Sequence, residues 1–518
     1  MELKVFKDTV AAYGGRWETR LELPVETEIL IPDYLPAVFK IVKCLIEPVV
    51  MQNSIASARW QGEGYLRCTV YYQSDEAGTR LYRTEQKFPF EKSVELPAAS
   101  YLQGPARLWG ELEYCNCRAV SEHRIDLRGA YALCVAACAV QPCELIASLA
   151  DCGIEQRTQK LEGCTCVAAE EKTYTASTTV PLPGAGETIL EIGGSFAPQA
   201  GSIQTGQVNC KGELQMQVCY RPAGAEDLMV RQKEIPVQQT VELDGVAEGD
   251  GCSFWGQVLG CTLTAATMAE EETTEPTLTV TWKLHVEVWR AGVYMAVADA
   301  YSTLCQTTVE HTTGKLLQKR QEIAERVSAA VEDDLPDPTM QVKGCFVTIG
   351  APLVAPAADD KEFLVLAGKG TAHVLCADER GELNCFDKTF AWQLAGRWPA
   401  AAGELLPHLN AAAGKVASSK SGDKLRVEVE IEVTGLLLQT VPFEAVGEVT
   451  LGEAYPDQAE GPALYLYYAA KGERIFDIAK RYHARAGDLA AANRLDTTEP
   501  GLQEQTTEEA CLLIPAAL

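Results

Sequence analysis

The stretch GEGYLRCTVYY, residues 62–72, puts Leu66, Cys68, Val70 and Tyr72 at every second position behind a pair of glycines. Side chains leave a strand on alternate faces, so this spacing predicts a strand with one face buried. The arrangement returns as GELQMQVCY at 212–220 and, more faintly, as GKGTAHVLCA at 368–377. The first two copies continue in step. FPFEKSVELPAA (88–99) corresponds to IPVQQTVELDGV (235–246), and LWGELEY (108–114) corresponds to FWGQVLG (254–260). Trp109 and Trp255 thereby fall at equivalent places, 146 residues apart.

Longer strands follow each copy: IDLRGAYALCVAACAV (125–140), TLTVTWKLHVEVWRAG (277–292) and KLRVEVEIEVTGLLL (424–438). The last alternates through Leu425, Val427, Val429, Ile431 and Val433 with charges between, as an antiparallel strand with one wet face does. The fold class expected is mainly β: three β-sandwich or barrel-like repeats, then a small βααβ domain. The repeats fall at 1–145, 155–312 and 313–458, and the last domain at 461–518. One segment departs from the strand pattern. TGKLLQKRQEIAERVSAAV (313–331) sets Leu316, Leu317, Ile323, Ala324 and Val327 at helical spacing, which predicts a helix docked on a repeat.

The chain has 518 residues and a net charge of -27, from 45 basic and 72 acidic side chains. Such a field repels nucleic-acid phosphates and anionic lipid heads, whereas a basic protein partner suits its sign. The N-terminal stretch has no secretory apolar run and no segment is apolar enough to span a membrane, so the chain is expected to stay in the cytosol. In that compartment the 19 cysteines are expected as reduced, mostly packing residues. Cys115–Cys117 and Cys164–Cys166 are the tight pairs. Each could present two thiols on one strand face, but neither has a partner motif for zinc, and no metal or other cofactor is expected.

Catalytic signatures are missing. Among the six histidines, His285 and His373 lie inside alternating strands, where a structural role is expected. There is no H-E-x-x-H, no G-x-S-x-G elbow and no phosphate-binding glycine loop. The acidic run at 269–276 lacks the spacing of a calcium loop. The chain therefore reads as a non-enzyme.

Near the C-terminus, ALYLYYAAKGERIFDIAKRYHARAGDLAAANRL (463–495) breaks the all-strand pattern. A strand over 464–468 leads to a Lys471-Gly472 turn. A helix follows with Ile475, Ile478, Ala479 and Tyr482 on one side, then a second helix with Leu489, Ala490, Ala492 and Asn493, and finally the strand CLLIP.

This unit resembles a LysM domain. Lys471-Gly472 matches the family's K-G-D-T turn, Ile478-Ala479-Lys480-Arg481-Tyr482 its I-A-x-x-Y helix, Asn493 and Leu495 its N-x-L, and Ile514-Pro515 its closing I-P. Glu473-Arg474 stands where the family has Asp-Thr, and Phe476 where Trp is frequent. The resemblance implies a groove for N-acetylglucosamine-containing glycans, lined by 472–476 and 493–502. The candidate binding residues, for partner or glycan, are Lys471, Gly472, Glu473, Arg474, Phe476, Asn493, Arg494 and Leu495. Phe476 is expected to be exposed.

Upstream, PVETEILIPDYLPAVFKIV (24–42), followed by the glycine strand and PFEKSVELP, is similar to a domain of unknown function repeated in clostridial spore proteins. Several such repeats before one LysM domain resemble the SipL-type spore-coat morphogenetic proteins. That resemblance implies a scaffold in the mother-cell cytoplasm, at the forespore surface. Its partners would be a SpoIVA-type coat ATPase and other coat proteins. A glycan-binding protein holding peptidoglycan, or an enzyme targeted by its LysM tail, are the alternatives.

Overall fold

The computed structural model describes residues 2–515 apart from 57, 75–79, 97–100, 183–187, 223, 226–227, 265–267, 270–271, 274, 456–463, 496–505 and 507–508; at 101–105, 188, 268–269 and 272–273 it describes backbone alone. The fold is mainly β and every strand pairing is antiparallel.

Six strands build a first unit: β1 (Lys4–Leu30), β2 (Lys40–Ala56), β3 (Arg59–Gln73), β4 (Leu81–Glu95), β5 (Tyr101–Ser121) and β6 (Arg124–Ala150). They form two sheets, ordered β1-β6-β5 and β2-β3-β4. The second unit comprises β7 (Ile154–Thr179), β8 (Thr188–Gln204), β9 (Gln207–Arg221), β10 (Met229–Glu242), β11 (Gly251–Thr264), a short pair β12 (Met268–Ala269) and β13 (Glu272–Thr273), and β14 (Thr277–Ser302). Its sheets are β7-β14-β11 and β8-β9-β10, the same order again. The third unit comprises β15 (Cys305–Asp334), β16 (Gln341–Ile349), β17 (Leu353–Pro356), β18 (Phe363–Ala377), β19 (Leu383–Gln393), β20 (Trp398–Pro399), β21 (Leu405–Ser421) and β22 (Lys424–Ala454). β15-β22-β21 is one sheet, and β16, β17, β19 and β20 all pair with β18 in the other. Each pair of sheets encloses its own apolar core.

The three glycine strands of the sequence are β3, β9 and β18, each central in its sheet. The glycines are needed for close approach. A Cβ at Gly64 would sit 2.1 Å from the Val49 carbonyl oxygen, and at Gly212 and Gly370 it would meet the rings of Phe196 and Phe390 at 2.4 and 2.3 Å.

The longest strands do two jobs. β1, β6, β7, β14, β15 and β22 run 26 to 31 residues, far beyond the usual ~3–10. Their third partners β5, β11 and β21 accompany only one half of each pair. The other halves continue as two-stranded ribbons: 4–12 with 141–150, 154–165 with 290–302, and 305–317 with 440–454. A lone hairpin is marginal in water, so each ribbon needs cover. The three cover one another. Val10, Ala12 and Leu145 pack with Leu161 and Ala296 and with Leu316, Phe443 and Ala445, joining all three units in one buried cluster. A second three-way cluster unites Ile146 and Leu149 with Val297, Ala300 and Val446.

The helix expected at 313–331 is not there. Those residues lie within β15, paired with β22 throughout. Two features counterfeit the helical spacing. Leu316 and Leu317 are adjacent and both buried, because the ribbon is packed on both faces. A register shift between Lys319 and Gln321 then inserts a residue and changes the parity of the alternation before Ile323. The charged positions that suggested a helix surface suit an edge strand of the β15-β22-β21 sheet.

The chain ends in a small unit: β23 (Leu464–Ala469), α1 (Ile475–Arg481), α2 (Ala486–Ala492) and β24 (Ala510–Pro515), with β23 paired to β24. Among the described residues no helix is long and apolar enough to cross a membrane.

Candidate functional site

The C-terminal unit folds around Ile475, Ile478, Ala479, Leu489, Leu512 and Ile514. The helical stripe expected on α1 is the buried one. Both helices close on a left-handed residue, His483 and Arg494, each with φ of 54°. In each case the next amide reaches back into the last turn: Ala484 N–H to the Ala479 carbonyl at 3.1 Å, and Leu495 N–H to that of Ala490 at 3.0 Å.

Phe476 is not exposed. It is 2 % accessible and belongs to a core that includes Tyr301, a residue of β14. The two rings meet edge to face with centroids 5.1 Å apart, and the Tyr301 hydroxyl donates to the Ala484 carbonyl at 2.7 Å. Lys480 adds a two-oxygen salt bridge to Asp299 at 2.7 and 2.8 Å. Phe476 thus fastens the unit to the ribbon of β7 and β14. The sequence could not show this, because helix α1 has two buried sides and only one is needed for its own small core.

The groove positions are committed to local structure. Gly472, at φ +87°, makes the turn after β23. Thr506 closes against that turn: its carbonyl accepts from Gly472 N–H at 2.8 Å and its N–H donates to the Glu473 carbonyl at 2.9 Å. Its hydroxyl donates to the Ala470 carbonyl and accepts from Glu473 N–H. Glu473 takes bonds from the Tyr467 hydroxyl at 2.7 Å, Arg481 at 2.9 Å and Ala470 N–H at 3.0 Å. The Tyr467 bond chiefly holds its carboxyl below the usual range.

Asn493 ties α2 to β24. Its amide nitrogen donates to the carbonyls of Leu489 and Leu513, and its oxygen accepts from Leu513 N–H, all at 2.7 Å. Leu495 packs on the core, whereas Lys471 and Arg494 are exposed. Arg474, exposed and without a side-chain cap bond to α1, lines a cleft of about 670 Å³ with Lys480, Asp299, His311 and Phe443. The positions 496–502 of the expected groove lie outside the described residues.

A different surface is open. On the outer face of the β23–β24 pair, Leu464, Leu466 and Tyr468 stand in a row beside Leu513, with Leu466 62 % and Tyr468 80 % accessible. The alternation in LYLYY carries this signal, since both strand faces are apolar or aromatic and the helices can cover only one.

Elsewhere, three side chains distant in sequence converge. Cys138 of β6, Glu287 of β14 and His408 of β21 meet within a cluster shared by all three units, and all are buried. The His408 Nε2 is 3.9 Å from the Cys138 sulfur, its Nδ1 is 3.6 Å from Glu287, and Trp289 donates to the same carboxylate at 3.1 Å. Burial alone would lower the His408 pKa, but Glu287 and then Cys138 outweigh it and push it up to about 10. The result is a buried imidazolium–carboxylate pair joining units two and three. No sequence motif announces it.

His285 and His373 each pair with a carboxylate. His285 lies 3.0 Å from Glu171, which also holds Lys283, and stacks on Trp255; His373 lies 2.8 Å from Asp387. Cys115 and Cys117 both face Cys44 across the first core. The bond from Cys44 holds the Cys115 thiol below its ordinary value. Among the described residues, no group of three or more His, Cys, Asp or Glu side chains is placed to hold a metal ion.

No protein-family model matches the chain. Nor does any curated protein match it.

Proposed function

We propose that this protein is a non-enzymatic scaffold of spore-coat assembly, built from three copies of one β module and a LysM-type C-terminal domain. It binds a coat ATPase of the SpoIVA type at the forespore surface in the mother-cell cytoplasm. The partner comes from the resemblance of the sequence to SipL-type proteins. The observation that carries a protein-binding role is the bare apolar face of β23 and β24. A row of Leu464, Leu466, Tyr468 and Leu513 is a docking surface of the kind that proteins cover with another protein, with an aromatic anchor at its end.

Three further features favour a protein over a sugar. Thr506 already occupies the backbone groups at the Gly472 turn that a sugar would use, and Asn493 is spent on β24. Phe476, the residue in the place of a frequent Trp, is buried against Tyr301.

The test is capture of the ATPase from sporulating cells by the immobilised full-length chain, compared with Tyr468→Glu and Leu466→Lys variants. Capture by the wild type that both variants lose is the expected result. Retention of N-acetylglucosamine oligomers, with no ATPase captured, would refute the reading.

A further inference from the structure

Beside the three-way junction, a cavity of about 380 Å³ opens between the first and third units. Arg16 of β1 and Arg107 of β5 supply one wall. Leu353, Val354, Leu364, Leu405 and Pro407 supply the other, with Glu404 at its edge. The register explains why two arginines share a face. Arg16 stands opposite Cys138 and Arg107 opposite Ala136, and residues two apart on β6 point the same way. Both guanidinium groups lie over the Trp109 ring, 5.7 and 5.1 Å from its centroid.

Arg107 is the costly charge in this cavity. Arg16 pairs with Glu18 at 2.8 Å. Arg107 donates one bond, to the Pro352 carbonyl at 2.6 Å, while its Nε is shut off from solvent with no hydrogen-bond partner among the described residues. The Glu404 carboxylate accepts from the Tyr13 hydroxyl at 3.2 Å. Burial, reinforced by the like charge of Arg16, pulls the Arg107 pKa down to about 10. A guanidinium shut away with an open donor and a cation for a neighbour is costly, and an anion at that point would relieve both faults. Paired guanidinium forks suit a planar carboxylate or a phosphoryl group, and the facing aliphatic wall suits a hydrocarbon body.

We propose that this cavity binds a small organic anion. Its carboxylate or phosphoryl head sits on Arg16 and Arg107, and its apolar part lies against Leu405, Pro407 and Leu353. Because the walls belong to different units, the ligand would brace the seam between them.

Calorimetric titration of the full-length chain with benzoate, phenyl phosphate, acetate and inorganic phosphate tests this. Saturable binding of benzoate or phenyl phosphate is expected, and whichever binds identifies the head group. Acetate and inorganic phosphate, lacking the apolar body, should bind about tenfold or more weakly. Arg107→Met should weaken binding by about tenfold or more. Arg16→Gln, at a partly exposed position that leaves the fold intact, should weaken it too. Glu404→Gln removes a negative charge from the cavity edge and should tighten it. The proposal is overturned if neither aromatic anion binds saturably, or if binding is unchanged in both arginine variants.

Discussion

Tyr301 and Phe476 lie 175 residues apart in sequence, yet their rings pack edge to face at 5.1 Å and make the C-terminal unit continuous with the β14 ribbon. The expectation that follows concerns stability. Phe476→Ala should cost the unit about 3–5 kcal/mol, the range for deleting a buried aromatic ring. Tyr301→Phe removes only the bond to the Ala484 carbonyl and should cost about 1 kcal/mol. Hydrogen exchange at the α1 amides should report both changes, with much faster exchange in Phe476→Ala and a modest increase in Tyr301→Phe.

Histidine–carboxylate pairs of differing burial set a window of pH stability. His408 has its pKa raised to about 10, so its contribution is whole below its unfolded value near 6.5 and is lost as pH rises through about 10. Glu171 and Asp387 are both lowered to about 2. Burial opposes the shift of Glu171, but the bond from His285 and the charge of Lys283 prevail; for Asp387 the His373 bond leads. Their contributions are whole above about pH 4.5 and are lost as pH falls through about 2. Urea midpoints measured across pH should therefore be level between about 5 and 6.5 and decline on either side. His408→Gln should abolish most of the decline between about pH 6.5 and 8, below the range where the buried thiols titrate, while lowering stability by about 3–5 kcal/mol, since Glu287 is left buried without a cation.

Glycines in the recurring strands separate into necessary and replaceable ones. Gly64→Ala forces a methyl to within 2.1 Å of the Val49 carbonyl and should destabilise by about 1–3 kcal/mol. Gly193, also in a strand, has open space around its Cβ position, so Gly193→Ala should be neutral or slightly stabilising. Thermal denaturation of the two variants checks the contrast.

What could be read from the chain was what depends on local periodicity. Leu66, Cys68, Val70 and Tyr72 announce β3, and Ile475, Ile478 and Ala479 announce α1, because one buried face imposes a period on nearby residues. At 313–331 a bulge and a doubly buried ribbon disturb that period, so the strand carries helical spacing. Contacts across units leave no period at all. Cys138, Glu287 and His408 come from three strands far apart in the chain, and Thr506 sits in a polar stretch with nothing to mark it. Phe476 has a legible place on its helix, but its burial is not legible, because its partner Tyr301 belongs to another unit.

The exposed β23–β24 face is where the proposed scaffold function is tested most directly. Leu466 and Tyr468 are exposed, so Leu466→Lys and Tyr468→Glu should leave the melting temperature nearly unchanged, within about 0.5 kcal/mol of stability. The decisive measurement is the affinity of the full-length protein for the purified coat ATPase, wild type against Tyr468→Glu. Saturable binding is expected, weakened in the variant by about 2 kcal/mol or more, the loss typical of an aromatic anchor. Equal affinity of the two proteins, or no binding by the wild type, would contradict it.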